Sequence, residues 1–158
     1  MSTSSRQTIE PTAAPDNSIP MMAQVYVRLR HRLREVESLL DQLTRGEVRD
    51  DNADERQTQR QVLEAQANSL RAIADRAHVV AISPRAIVGS IVYVRPEADA
   101  PLERYEIVLA TESDPATRKV AFDSPIGRAL LGREVGEIAV VQSPRGRREL
   151  RVMVVKHR

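Results

Sequence analysis

The chain has no Cys and no Trp, one Phe and three Tyr among its 158 residues. Without Cys there can be no disulfide, no thiolate zinc site and no Cys nucleophile, and a reducing cytoplasmic setting is expected. Long apolar runs are also missing. Residues 1–20 contain no apolar core of the kind a secretory leader needs, and nothing later is long enough to cross a bilayer, so neither export nor a membrane partner is expected. A large charge of one sign is absent too. The formal net charge is +2, with 11 basic against 12 acidic side chains in residues 1–83 and 13 against 10 in residues 84–158. That balance does not make a nucleic-acid-binding stripe, and independent binding to duplex DNA is not expected. The basic residues are 22 Arg and 2 Lys, a bias ascribed to genome composition before recognition. His31, His78 and His157 fall in separate stretches with no ligand spacing and read as surface or structural residues. No Gly-rich phosphate loop and no Ser/His/Asp constellation stands out, so no cofactor of the chain's own is expected.

The patterns that are present divide the chain into parts small enough that each buries only a modest core. Residues 1–20 form a tail, rich in Ser, Thr, Pro and Ala up to Ser18 and expected to be disordered. From there Met22, Val25, Leu29, Leu33, Val36, Leu40 and Leu43 recur at spacings of three and four, which predicts a helix reaching about Arg45. A second helix, capped by Asp51 or Asn52 and running to about His78, presents Leu63, Ala67, Leu70, Ala74 and Ala77 as the facing stripe. Residues 21–80 are therefore expected to form an antiparallel coiled-coil hairpin. Its second helix begins with Asp54 to Gln61, which contain no large apolar residue, so the tip should be less tightly zipped than the base. Arg28, Arg30, His31, Arg32 and Arg34 alternate with Glu35 and Glu37 and read as a solvated face.

Residues 81–88 are a linker in which Ser83-Pro84 prevents the helix from continuing. Residues 89–158 hold five β-branched or aliphatic runs bounded by turn residues, with Pro144-Arg145-Gly146 joining the last two as a hairpin. Between the third and fourth runs lies Ser124-Pro-Ile-Gly-Arg-Ala-Leu-Leu-Gly132, a short helix with its stops written in. Ser124 suits the N-cap, Pro125 suits the first helical position, and Gly132 can take the left-handed conformation that closes a helix. Ile126, Ala129 and Leu130 make one buried stripe, while Arg128 and Arg133 point elsewhere. One short helix on a mostly antiparallel sheet gives an α+β domain.

Ser124 to Gly136 closely resembles the S-P-I-A-R-A-L-I-G-K-E-V-G signature of the bacterial Gre transcript-cleavage factors, with Gly127 in the usual alanine place. Ile19-Pro20-Met21 is similar to the segment that leads into the first Gre helix. The resemblance implies an FKBP-like topology for residues 89–158, RNA polymerase as partner, and a coiled coil that enters the polymerase secondary channel. It implies an accessory factor rather than an enzyme. Arg128 and Arg133 become candidates for contacting the polymerase, and the basic positions on the first helix could lie near extruded RNA. FKBP-like folds also include peptidyl-prolyl isomerases, whose pockets are walled by aromatics; only Tyr93, Tyr105 and Phe122 are available here.

Gly46-Glu-Val-Arg-Asp-Asp-Asn-Ala-Asp54 resembles the Gre tip pattern G-D-L-S-E-N-A-E, whose two acids help hold a magnesium ion in the polymerase active site. Magnesium is a hard octahedral cation usually held by one or two carboxylates, and a weakly held second ion can generate the hydroxide that cleaves an RNA phosphodiester. Carried over, Glu47 stands for the first acid and Asp51 for the second; if the extra residue lies after Asp50, then Glu47 and Asp50 keep the family spacing. Glu and Asp have exchanged places, one residue is inserted before Asn52, and Glu55 stands where an aromatic residue commonly follows. The first helix is shorter than its family counterparts by roughly ten residues, or about 15 Å. The functions left open are cleavage of backtracked RNA, alternatively a non-cleaving relative that inhibits or retunes the polymerase through the same channel, and thirdly a non-catalytic interaction module that reuses the same architecture for another partner.

Overall fold

A computed structural model describes residues 17–46 and 52–158. The element order is β1 (Ile19–Met21), α1 (Ala23–Arg45), α2 (Ala53–Arg76), β2 (Ala77–Val79), β3 (Ile91–Arg95), β4 (Glu103–Val108), β5 (Lys119–Ala121), α3 (Pro125–Leu130), β6 (Ile138–Ser143) and β7 (Gly146–Lys156), with two short 3-10 turns between β4 and β5. This is the expected α+β architecture, a helical hairpin followed by a curled, mostly antiparallel sheet with one short helix.

The hairpin follows from its apolar stripes. Val25, Leu29, Leu33 and Val36 of α1 are buried against Ala67 and Leu70 of α2. Towards the tip the packing thins: Leu40 and Leu43 are only half-buried and Val62 is 62% exposed, so the apolar seam holds the base more than the end. Helix α1 is 23 residues long, about 34 Å at 1.5 Å per residue. It stops at Gly46, whose φ of 72° lets its N–H bond back to the carbonyls of Gln42 and Leu43. Asn52 is the N-cap of α2, although its side chain makes no capping hydrogen bond.

Helix α2 ends at Arg76, two residues short of the expected end at about His78, because Ala77–Val79 leave the helix to form a strand. That strand, β2, pairs in parallel with β1 in the register Ile19↔Ala77, Pro20↔His78, Met21↔Val79. Val88 then extends this base, donating its N–H to Pro20 O and accepting from Met22 N, both at 3.0 Å. Residues 81–85 run over the surface, with Ile82 91% exposed, and the segment enters the junction only at its end, where Ala86, Ile87 and Val88 are all buried. One hydrophobic cluster runs from Leu33 and Val36 of the hairpin through Ile19, Met21 and Val88 to Val92, Ile107 and Leu150 of the sheet. The hairpin and the sheet domain share a core.

The main sheet has the order β5-β4-β3-β7-β6. All its pairs are antiparallel except β4–β5, which is parallel in the register Glu106↔Lys119, Ile107↔Val120, Val108↔Ala121. Its inner face, with Val92, Val94, Tyr105, Ile107, Leu150 and Val152, is buried together with Leu130 of α3. Ser143 and Gly146 close the β6–β7 hairpin around the two-residue turn Pro144-Arg145.

Candidate partner-binding site

Helix α3 is positioned by its caps. Ser124 Oγ accepts a hydrogen bond from Gly127 N at 3.1 Å and donates one to Ala121 O at 2.6 Å, so a single hydroxyl ties the helix start to the end of β5. Pro125 occupies the first helical turn, where a missing N–H costs nothing. Gly132 takes φ 80° and donates to Ala86 O at 2.7 Å, while Ala86 N returns a bond to Arg133 O at 2.8 Å. The helix is thereby fastened to β5 at one end and to the junction at the other. Ser124→Ala is expected to lower unfolding stability by about 1–2 kcal/mol, the usual cost of a lost N-cap. Urea denaturation followed by circular dichroism checks it, and an unchanged midpoint would mean that Pro125 alone sets the helix start.

The two arginines singled out near α3 have different surroundings. Arg128 is exposed and belongs to no ion pair among the described residues. It borders an open groove of about 520 Å³ between α2 and α3, together with Arg76 and the apolar Ile19, Ile73, Phe122 and Leu131. Arg133 is partly engaged within the chain: its Nε donates to Ala129 O at 3.3 Å and Nη1 lies 3.6 Å from Glu137.

On α1, Arg28 is paired with Glu112 at 2.7 Å, Arg32 with Glu35 at 3.2 Å, and His31 lies 3.5 Å from the same Glu35. Arg34 only reaches the Arg30 carbonyl at 3.4 Å. The Arg28–Glu112 pair links the hairpin to the loop after β4. Both groups are partly exposed, so its worth is about 1 kcal/mol or less.

The tip acids Glu47, Asp50 and Asp51 lie outside the described residues. Among the described residues no group of three or more His, Asp or Glu side chains is placed to hold a metal ion. His157 is held structurally: Nε2 lies 2.6 Å from Ser83 O, which can only accept, so Nε2 carries the hydrogen and Nδ1 accepts from Ser90 Oγ at 3.0 Å. That pair pins the chain end to the residues around the junction. The three aromatics do not line one pocket. Tyr105 is buried on the inner face and donates to Glu103 at 2.6 Å; burial, and then the neighbouring Glu103 carboxylate, push its pKa up. Tyr93 is on the outer face, with Lys156 over its ring. No helix among the described residues is long and apolar enough to cross a membrane.

A family profile described as "Transcription elongation factor, GreA/GreB, C-term" matches residues 82–157, the stretch that builds β3 to β7 and α3. Residues 82–157 form a Gre-type carboxy-terminal domain. Its likeness to the transcription elongation factor GreA of Thermomicrobium roseum is 41% identity over 69 residues, 44% of this chain and 43% of that protein. The chain thus matches less than half the length of such relatives. A longer alignment joins it to the transcription inhibitor protein Gfh1 of Thermus thermophilus, 27% identical over 140 residues, or 85% of this chain and 90% of that one. Among solved structures, a GreA/GreB elongation factor from Nitrosomonas europaea is 21% identical with a TM-score of 0.46, over 89% of this chain and 98% of that one.

Proposed function

We propose that this protein is a cytoplasmic transcription elongation factor that docks its carboxy-terminal domain on bacterial RNA polymerase and inserts its helical hairpin in the secondary channel. The observation that carries the reading is the GreA/GreB carboxy-terminal match over residues 82–157 on a domain whose core is continuous with an antiparallel hairpin. A shared core matters for this function. A probe fixed to its docking domain delivers its tip to one place, whereas a hinged one would pay the entropy of finding it.

In the cleavage reading, Glu47 and Asp51 at the tip, with Asp50 replacing Asp51 in the alternative register, help hold a magnesium ion otherwise bound by the polymerase. An ion held there would supply Lewis-acid activation of water for hydrolysis of backtracked RNA. The chain contributes carboxylates and their placement, and it is an accessory to the polymerase rather than an enzyme with a cofactor of its own. Arg128 and Arg133 are the proposed polymerase contacts beside α3. Arg30 and Arg34 are the α1 cations without a carboxylate partner among the described residues, which suits them to meet backtracked RNA inside the complex. Neither duplex DNA nor a membrane enters this reading.

A second reading, a non-cleaving relative that inhibits or retunes the polymerase, is favoured by one observation. The alignment with the Thermus inhibitor runs through the hairpin as well as the sheet domain, while the Thermomicrobium GreA alignment stays within 69 residues. RNA cleavage in a stalled, backtracked elongation complex separates the two. With a cleavage factor, Glu47→Ala and Asp51→Ala each lower the stimulated rate by roughly 100-fold or more, since an ångström-scale loss of metal placement already costs that much. Retained binding with slowed nucleotide addition and no cleavage decides for the inhibitor. Failure to co-purify with core polymerase sinks both.

A further inference from the structure

The outer face of the sheet carries a feature that the hairpin and α3 do not use. Arg95 of β3 and Arg151 of β7 are direct cross-strand partners in the antiparallel register. Like charges facing each other across a ladder repel and cost stability. No carboxylate is close enough to cancel that cost directly: neither arginine takes part in any ion pair among the described residues. Their remaining contacts are long, Arg95 Nη1 to Ala98 O at 3.4 Å and Arg151 Nη1 to Gly136 O at 3.5 Å. Arg95 Nε is shut away from solvent with no hydrogen-bond partner at all. A buried guanidinium donor left unmade costs on the order of 1–3 kcal/mol, so this pair is a poor structural device.

Both arginines line the same hollow, about 360 Å³, beneath the loop that follows β3. Its apolar part is Ile138, 41% exposed, and Met153. Met153 sits where the β3–β7 register shifts: Tyr93 faces Val154 and Val94 faces Val152, which leaves Met153 as the extra residue of a bulge. Bulges commonly re-aim side chains beside binding sites. The rim carries Glu97 and Glu149, the latter committed to Arg147 at 2.8 Å.

We infer that this hollow is a recognition site for a carboxylate side chain of a protein partner, seated between Arg95 and Arg151 with an aliphatic neighbour of the same partner against Ile138 and Met153. Two guanidinium groups lining one hollow supply several charge-assisted donors to a planar carboxylate. The same donors could serve a phosphate. A polyphosphate backbone is disfavoured, because its next charges would meet Glu97 and Glu149, and because the apolar half of the hollow would gain nothing from it. The inference stands apart from the polymerase reading and does not depend on it.

Nuclear magnetic resonance titration of the full chain with the blocked tripeptide acetyl-Leu-Glu-Leu-amide tests it, read at the Arg Nε–H groups and the β3 and β7 amides. Saturable shifts at Arg95 and Arg151, absent with acetyl-Leu-Gln-Leu-amide, are expected. Arg95→Gln and Arg151→Gln should each weaken binding roughly tenfold or more, the loss of charge-assisted hydrogen bonds. Both variants should keep or raise the melting temperature, because each removes the cross-strand repulsion. Arg95→Lys, which keeps the charge without the fork, should bind more weakly than the parent and more tightly than Arg95→Gln. Equal shifts with the Gln peptide, or saturation by inorganic phosphate at a lower concentration than by the Glu peptide, would overturn the assignment. So would a marked fall in melting temperature for both Gln variants, which would make the pair a structural clamp for the loop.

Discussion

Replacing Gly89 by Ala is expected to destabilise the protein by about 2–4 kcal/mol, combining left-handed backbone strain with crowding at a packed junction. Gly89 has φ 103°, a region that side-chain-bearing residues rarely adopt. A Cβ there would stand 2.8 Å from Met22 Sδ and 2.8 Å from Val25 Cγ2. Met22 is flexible and could yield, but Val25 is 1% exposed on the first turn of α1 and is stiff at χ1. The Gly89 N–H also donates to Ile107 O at 2.7 Å, so the backbone cannot rotate away without giving up a bond to the sheet. The damage falls where the hairpin meets the sheet domain. Equilibrium urea unfolding gives the size of the effect, and a cycle with Met22→Ala isolates the share due to crowding by Met22, what persists being the Val25 contact together with backbone strain. A variant as stable as the parent would show that the junction is looser than its contacts imply.

That junction was the part of the fold least legible in the sequence. The hairpin could be read because its stripes repeat every three or four residues within one segment. The short helix could be read because Ser124 and Pro125 are local instructions that act as their residue types predict; Gly132 takes its left-handed φ, but in the turn Leu130–Arg133 that follows the extended C-cap Leu131, with its N–H given to Ala86. The β1–β2 pair has no such local mark. Its partners, Ile19 and Ala77, are 58 positions apart, each strand has three residues, and one of the three in β1 is a proline. Pairing of this kind is chosen by what the neighbouring helices bring together, which is also why α2 ends at Arg76 although the apolar spacing continues to Ala77. The parallel β4–β5 pair was hidden in the same way, since strand content does not reveal strand direction.

For the site, the sequence told which residues were suspicious and the fold told which are free to act. Arg128 and Arg133 were equivalent on paper; their surroundings separate them, because Arg133 has Glu137 one helical turn on in sequence and Arg128 has only the groove. The spacing of Arg133 and Glu137 was visible in the sequence, but its meaning depended on the turn between them. Arg95 and Arg151 gave no signal at all. They are 56 residues apart, and only the register of β3 against β7 makes them neighbours. Glu47 and Asp51 are the reverse case, known from the sequence resemblance and tested only by the chemistry they are proposed to support.

Gly127→Ala is expected to cost about 2 kcal/mol or more, although Ala is the better helix former by about 1 kcal/mol. The sign is decided by distance. A Cβ at Gly127 would fall 1.9 Å from Ala121 O and 2.9 Å from both Ala121 C and Phe122 Cα, and all three are backbone atoms of β5 and its exit. No side-chain rotation relieves such a contact; either β5 or α3 must move by more than an ångström. The carbonyl in the way is also the one that receives Ser124 Oγ at 2.6 Å and Ser124 N at 3.0 Å, so displacing it would loosen the cap as well. The Gre signature usually has Ala at this place. The close seating of α3 on β5 is made possible here by Gly127. Hydrogen exchange should show the loss of protection concentrated in β5, α3 and their flanks, with α1 and α2 keeping theirs. If α3 helps form the polymerase-docking face, the same variant should bind core polymerase more weakly while its hairpin stays folded. A more stable Gly127→Ala protein would show that the helix propensity gain outweighs the contact and that α3 can stand off from the sheet at little cost.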